Sequence, residues 1–117
     1  MTTGDERAID QDGASGRVAL TGQLVCSSAA EQDTVLRHLP LHIELSRNEP
    51  GCLVFEVRPT VDPFVWQVDE EFTDAEAFAA HQDRVRQSAW GRATAGIERR
   101  YTFEGGDESF ITRRDSS

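Results

Sequence analysis

His81 is the side chain in this sequence best placed to move a proton. It lies on or beside the apolar stripe of a predicted helix, together with Ala77, Phe78 and Val85. A partly buried imidazole there can accept a phenolic proton near neutral pH. A purely structural histidine, packed against a sheet with one nitrogen bonded to a backbone carbonyl, fits the same pattern. We therefore take His81 as the candidate general base and keep the structural alternative open.

Four further side chains are candidates for binding a flat aromatic substrate. Trp66 and Trp90 can line an aromatic pocket, and an indole N–H can orient an oxygen atom; core or dimer-interface packing is the alternative for each. Tyr101 and Arg100 can hold a phenolate by hydrogen bonding or charge. Because neighbouring residues on a strand point to opposite faces, we expect these two to diverge.

His38 and His42 are four residues apart on one helix, a spacing that can hold a metal ion. No completing ligand stands nearby, and Pro40 between them disturbs the geometry, so we expect a solvated helix flank and no metal site. Cys26 and Cys52 form neither a CxxC motif nor a Cys/His pattern, which favours two reduced thiols over a disulfide. Phosphate-binding glycine loops and dinucleotide fingerprints are absent as well, so we expect no cofactor.

The elements that must position these residues follow the order β-α-β-β-α-β. Two strands flank the first helix, at Arg17 to Cys26 and Cys52 to Arg58, the second of them after a Glu-Pro-Gly turn. Later strands are expected at Phe64 to Phe72 and Ile97 to Phe103, with a helix capped by Asp74 between them. This order predicts an α+β, ferredoxin-like domain with a four-stranded antiparallel sheet.

Two details of the sequence set the faces of these elements. Ser28 and Glu31 form a capping box at the start of the first helix, which Pro40 is expected to kink or divide. Its predicted inner stripe consists of Val35, Leu36, Leu39, Ile43 and Ser46. In the second strand, strict alternation places Leu53, Phe55 and Val57 on one face and Cys52, Val54 and Glu56 on the other.

The chain of 117 residues fits one domain with little core to spare. We assign residues 17–104 to this domain, 1–16 to a disordered tail, and 105–117 to a polar tail or an arm that crosses a dimer. A formal charge of −9 argues against nucleic-acid and anionic-membrane binding. The N-terminus shows no signal region, and no apolar run is long enough to span a bilayer. We expect a cytoplasmic location.

Three segments of the sequence resemble the antibiotic biosynthesis monooxygenase (ABM) family and its quinol monooxygenase branch. They are Glu49 to Leu53 with Phe55 to Val57, Asp69 to Phe72 followed by Ala77 to Gln82, and Ser88 to Gly91 followed by Thr94 to Ile97 with Arg100 and Tyr101. The resemblance implies a dimeric α/β barrel, in which two sheets pair face to face and each subunit keeps a pocket between its sheet and its helices. It also implies oxidation of quinols or polycyclic phenols by O2 without metal or flavin.

The leading hypothesis is a cofactor-independent monooxygenase that oxidises a small quinol or phenolic compound, with His81 as its base. One alternative is a non-catalytic dimeric barrel that binds a small hydrophobic ligand; another is an isomerase or decarboxylase on the same scaffold. The pocket discriminates between them. An enclosed cavity reached by His81 and at least one tryptophan favours an enzyme, whereas a space filled by side chains favours the non-catalytic protein.

Overall fold

The computed structural model describes residues 16–105, so the predictions for the tails 1–16 and 105–117 lie, apart from residues 16 and 105 themselves, outside the described residues. The chain forms β1 (Val18–Val25), α1 (Ala29–Arg47), β2 (Cys52–Pro59), β3 (Val65–Phe72), α2 (Ala75–Arg86), α3 (Ala89–Ala93) and β4 (Glu98–Glu104). The strands pair antiparallel in the order β2-β3-β1-β4. This is the predicted α+β, ferredoxin-like architecture, with the added short helix α3.

The helices begin where the sequence places their caps. Ser28 Oγ accepts from the Glu31 amide at 3.2 Å, and Glu31 Oε1 accepts from the Ser27 amide at 2.7 Å. Asp74 caps α2 by accepting from the Ala77 amide at 2.8 Å. Each cap satisfies amides that the first helical turn leaves without partners.

The inner stripe of α1 differs from the prediction. Its buried residues are Val35, Leu39, His42 and Ser46, whereas Leu36 is 52% exposed. The 35-39-42-46 spacing follows the helical period more closely than a stripe that includes Leu36. The helix runs unbroken through Pro40, which lies on its exposed side. The prediction that His42 occupies a solvated flank is therefore wrong.

A β-bulge in β2 corrects the predicted alternation. The register shifts between Cys52 and Val54, so Cys52 pairs with Phe72 on the helix-covered face of the sheet. Leu53 becomes the extra residue and is 47% exposed. Val54 and Glu56 keep their place on the other face, opposite Glu71 and Asp69.

One face of the sheet forms the core against α1, α2 and α3, while the other, which we call the open face, carries half-exposed and polar residues. The core includes Leu20, Leu24, Phe55, Val68 and Phe72 from the sheet. Cys26 is buried, Cys52 is half-buried, and both thiols are free. None of the helices described between residues 16 and 105 is long and apolar enough to cross a membrane.

Candidate functional site

A groove of about 480 Å³ lies beside His81, between the turn that follows α1 and the exposed side of α2. Glu49, Pro50 and Gly51 of the turn form one wall. The second wall comes from α2, and its residues are Asp74, Glu76, Ala77, Ala80, His81 and Arg84, with Thr73 just before the helix. Gly51 adopts φ +85°, as the predicted turn requires, and this brings Glu49 over the helix.

Glu49 holds His81 at the base of the groove. Glu49 Oε1 lies 2.7 Å from His81 Nδ1, and Glu49 Oε2 accepts from the Nε of Arg84. Burial opposes ionisation of Glu49, but the hydrogen bonds from His81 and Arg84 outweigh it and lower the pKa of the carboxyl group. Because an ionised carboxylate only accepts hydrogen bonds, His81 Nδ1 is the donor in this contact.

The other nitrogen of His81 faces the interior. Nε2 makes no hydrogen bond among the described residues and lies 3.7 Å from Glu70 Oε1, beyond hydrogen-bonding distance. The imidazole is fully covered, with the ring of Phe72 at 4.9 Å and that of Phe55 at 5.5 Å between centroids.

The structure separates the four candidate aromatic-binding residues. Trp66 is buried on β3, and its indole N–H donates to Gln32 Oε1 at 2.9 Å. Trp90 is buried on α3 and stacks on His42, with centroids 4.4 Å apart and planes within 4°. Neither tryptophan lines the groove beside His81.

Tyr101 and Arg100 point to opposite faces of β4, as expected. Tyr101 packs on the core side; burial raises the pKa of its hydroxyl, against the opposing effect of Arg99, so the group is neutral. Arg100 lies on the open face, where it bonds Glu98 at 2.6 Å and remains 64% exposed. Arg100 is therefore remote from the other candidates.

Three residues of the groove and its surroundings were missed by sequence reasoning. Glu49 belongs to the turn that was noted for its Pro-Gly chemistry, and only the fold brings it to His81, 32 positions away. Glu70 has a charge that is typical of exposed strand positions, but it is 1% exposed; its alternation with Trp66, Val68 and Phe72 was the available signal. Arg84, three positions after His81, was a helical neighbour with the spacing to reach the same partner.

Among residues 16–105 no group of three or more His, Cys, Asp or Glu side chains has the arrangement to hold a metal ion. His42 is turned into the core, so the His38–His42 pair does not present two nitrogens to a common point on the surface.

Comparison with known proteins finds one matching family model and several solved structures with a similar fold. Residues 28–93 match the family model described as antibiotic biosynthesis monooxygenase. A candidate member from Deinococcus radiodurans is 21% identical and has a TM-score of 0.63, over 78% of this chain and 93% of the other. A candidate member from Nitrosomonas europaea is 20% identical with a TM-score of 0.60, over 80% and 91% of the two chains.

MupZ from Pseudomonas fluorescens is 17% identical, with a TM-score of 0.66 over 86% of this chain and 76% of that protein. No curated protein gave a significant match. At these identities the solved structures establish a shared fold, and a shared fold hosts many activities.

Proposed function

Since the chain belongs to the antibiotic biosynthesis monooxygenase family, we propose that it is a cofactor-independent monooxygenase acting on a small quinol or phenol. The observation that carries the proposal is the Glu49–His81 contact of 2.7 Å on the wall of a 480 Å³ groove. That volume lies within the range of small-molecule sites, roughly 300–1,000 Å³. Pro50, Ala77 and Ala80 provide apolar surface for a flat ring.

His81 is the proposed base and Glu49 its positioning residue. The carboxylate accepts the Nδ1–H of His81, fixes the orientation of the ring and stabilises the imidazolium that forms when Nε2 takes the phenolic proton. Because the imidazole is covered and Nε2 faces the interior, proton transfer requires the side chains around the ring to move when the substrate binds, so that the phenolic hydroxyl reaches Nε2. Glu49, whose side chain is 15% exposed, is the member of the pair that the substrate meets first.

The reaction balances without a further reductant. A phenol with a free ring C–H reacts with one O2 to give a quinone and water. The ring carbon gains one oxygen atom in place of its hydrogen, and the second oxygen atom leaves as water with the C–H and O–H hydrogens. The substrate supplies all the electrons, so the protein has to deprotonate it, orient it and exclude water.

Oxygen uptake over a panel of quinols and phenols tests this function. We expect His81→Ala to lower turnover by roughly 100-fold or more, the usual scale for a lost general base, and Glu49→Gln to cause a smaller loss. Glu44→Gln, an exposed carboxylate one turn before the end of α1, is the matched control and should leave turnover unchanged.

If His81→Ala lowers stability but not turnover per folded protein, the proposed base is refuted. Loss of activity on chelation would refute the cofactor-free mechanism.

Non-catalytic ligand binding is the second candidate, favoured by a specific observation. Phe55 and Phe72 pack next to His81, and the groove that His81 lines has no tryptophan in its walls. Under this function, phenols would bind the groove with no oxygen uptake, and His81→Ala would change only stability.

The open face of the sheet is the proposed dimer interface. Val25, Val54 and Val65 lie half-buried there among polar residues such as Thr21 and Gln23. Pairing of two such faces would give an isologous C2 contact. Val65→Glu should shift the sedimentation coefficient toward that of a monomer, whereas Val61→Glu, on an exposed loop, should not. A stable wild-type monomer at micromolar concentration would contradict the dimer.

A further inference from the structure

A second hollow, which we call the Trp90 cavity, lies on the opposite side of Arg84 from the groove. Its volume is about 110 Å³. The residues that matter for its chemistry are Arg37, Leu41, His42 and Leu45 of α1, Arg84 of α2 and Trp90 of α3. It is separate from the proposed oxygenase site, because His81 and Glu49 do not line it.

Three nitrogens of residues lining the Trp90 cavity have no hydrogen-bond partner in the described structure. They are His42 Nδ1, Trp90 Nε1 and Arg84 Nη1, and each has almost no exposed surface. His42 is 2% exposed and Trp90 4% exposed. A buried polar group without a partner costs about 1–3 kcal/mol, so a cluster of them around one hollow calls for an occupant.

The charge of the lining indicates the sign of that occupant. The chain has a formal charge of −9, yet the cavity is lined by two arginines and no carboxylate. Arg37 forms no hydrogen bond or ion pair with another described residue, whereas Arg84 pairs with Glu49. Low local dielectric strengthens the attraction of such a lining for an anion.

The rim of the cavity indicates that the part of the ligand outside the cavity is apolar. Leu41 is 56% exposed and Leu45 40% exposed, so apolar surface continues from the cavity to the outside of α1. A volume of 110 Å³ is well below the roughly 300–1,000 Å³ of sites that enclose a drug-sized molecule. The cavity therefore has room for a head group, with any apolar part lying over the leucines.

We propose that the Trp90 cavity binds the carboxylate group of a small apolar organic acid. Trp90 Nε1–H and Arg84 Nη1–H donate to the carboxylate oxygens, and the apolar part lies along Leu41 and Leu45. Burial, together with the nearby His81, Arg84 and Arg99, lowers the pKa of His42 to about 2. His42 is thus a neutral wall of the site, with its ring held flat on Trp90.

The two tryptophans allow a test with an internal control, carried out by NMR on the full chain labelled with 15N. Trp66 Nε1–H already donates to Gln32, whereas Trp90 Nε1–H has no partner. On titration with benzoate, the Trp90 indole resonance should move downfield and saturate, and the Trp66 resonance should stay in place. Benzamide, of similar size and neutral, should bind at least tenfold more weakly. The Trp66→Phe variant assigns the two resonances.

Two variants separate specific binding from other effects. Trp90→Phe keeps a flat ring but removes the donor, and a hydrogen bond to a charged group corresponds to roughly a tenfold or larger loss of affinity. Arg37→Gln, on an exposed residue, should weaken benzoate binding and reduce its dependence on salt. The proposal is overturned if the Trp90 resonance does not respond to benzoate, if benzamide binds equally well, or if both indole resonances move together. The first of these outcomes would indicate that water alone fills the cavity.

Discussion

Arg84 separates two hollows of opposite chemistry. The groove is lined by three carboxylates, Glu49, Asp74 and Glu76, and both oxygens of Glu49 have partners. The Trp90 cavity has no carboxylate in its lining and contains nitrogens without partners. The groove is thus suited to a neutral phenol that loses its proton after binding, whereas the cavity is suited to a ligand that arrives as an anion. A strongly acidic chain can provide both kinds of site because burial, rather than net charge, sets the local potential.

The largest expected effects come from two glycines, one beside each hollow. A Cβ at Gly91, next to Trp90, would overlap the backbone carbonyl of Val85. Overpacking costs typically about 1–3 kcal/mol, and we expect the upper end of that range here because the contact is with backbone. A Cβ at Gly51 would lie 2.7 Å from Ala77 Cβ on a residue with φ +85°, which costs about 1–2 kcal/mol for the backbone alone. We expect Gly91→Ala and then Gly51→Ala to lower the melting temperature most.

Gly96→Ala is the matched control for both glycines, because nothing lies within 4 Å of its Cβ and its φ is not positive. Thermal unfolding should leave this variant within about 1 kcal/mol of wild type. We expect Gly91→Ala to move the Trp90 indole resonance, whereas Gly51→Ala should alter only phenol binding. An equal effect of Gly91→Ala and Gly96→Ala on stability would contradict the tight packing of α3 against α2.

The next effect is a loss of stability in acid that comes from His42. Its folded pKa is lowered from 6.5 to about 2, by burial first and then by His81, Arg84 and Arg99. Below pH 6.5 the unfolded chain therefore binds a proton that the folded chain does not, and stability falls as the pH decreases toward 2. Between pH 6.5 and 4.5 this amounts to about 2 kcal/mol, at about 1.4 kcal/mol per pH unit.

His42→Phe tests this pH dependence, because it keeps a flat ring beside Trp90 and cannot be protonated. Urea unfolding at pH 6.5 and at pH 4.5 should show a smaller loss of stability for the variant than for the wild type. Other titrating groups contribute to both proteins and cancel in the difference. Equal losses would show that His42 is solvated in acid and that the Trp90 cavity opens readily.

Local signals in the sequence were sufficient for most of the fold. Strand alternation, the Ser28 and Asp74 caps and the Pro-Gly turn each depend on a few neighbouring residues, and each appears in the structure. The inner stripe of α1 was less accessible, because Leu36 is more hydrophobic than His42 although His42 has the better helical position. Hydrophobicity therefore pointed to the wrong residue of α1, because position along the helix decides which side chain is buried.

The candidate site was predictable only in part. His81 was identified from its place on the stripe of α2, and the structure places it on the wall of the groove. Its partner Glu49 is brought there by pairing of β2 with β3 and by the turn before β2, which are non-local features. The β-bulge at Leu53 was equally hidden, since an inserted residue leaves the hydrophobic pattern looking regular.

The smallest expected effect compares the two tryptophans directly. Trp66→Phe removes a hydrogen bond and leaves Gln32 Oε1, a half-buried acceptor, without that donor. Trp90→Phe removes a donor that has no partner, so the relief of its desolvation partly offsets the lost ring area. Both substitutions shrink the same kind of ring in a buried position. Trp66→Phe should therefore destabilise the fold by about 1 kcal/mol more than Trp90→Phe in denaturant unfolding at neutral pH.

Benzoate at saturation should raise the stability of the Trp66→Phe variant and have little effect on Trp90→Phe, because only the first keeps the donor in the cavity. Equal destabilisation without ligand would mean that the Trp90 N–H is already satisfied, and the contrast between the two hollows would then rest on charge alone.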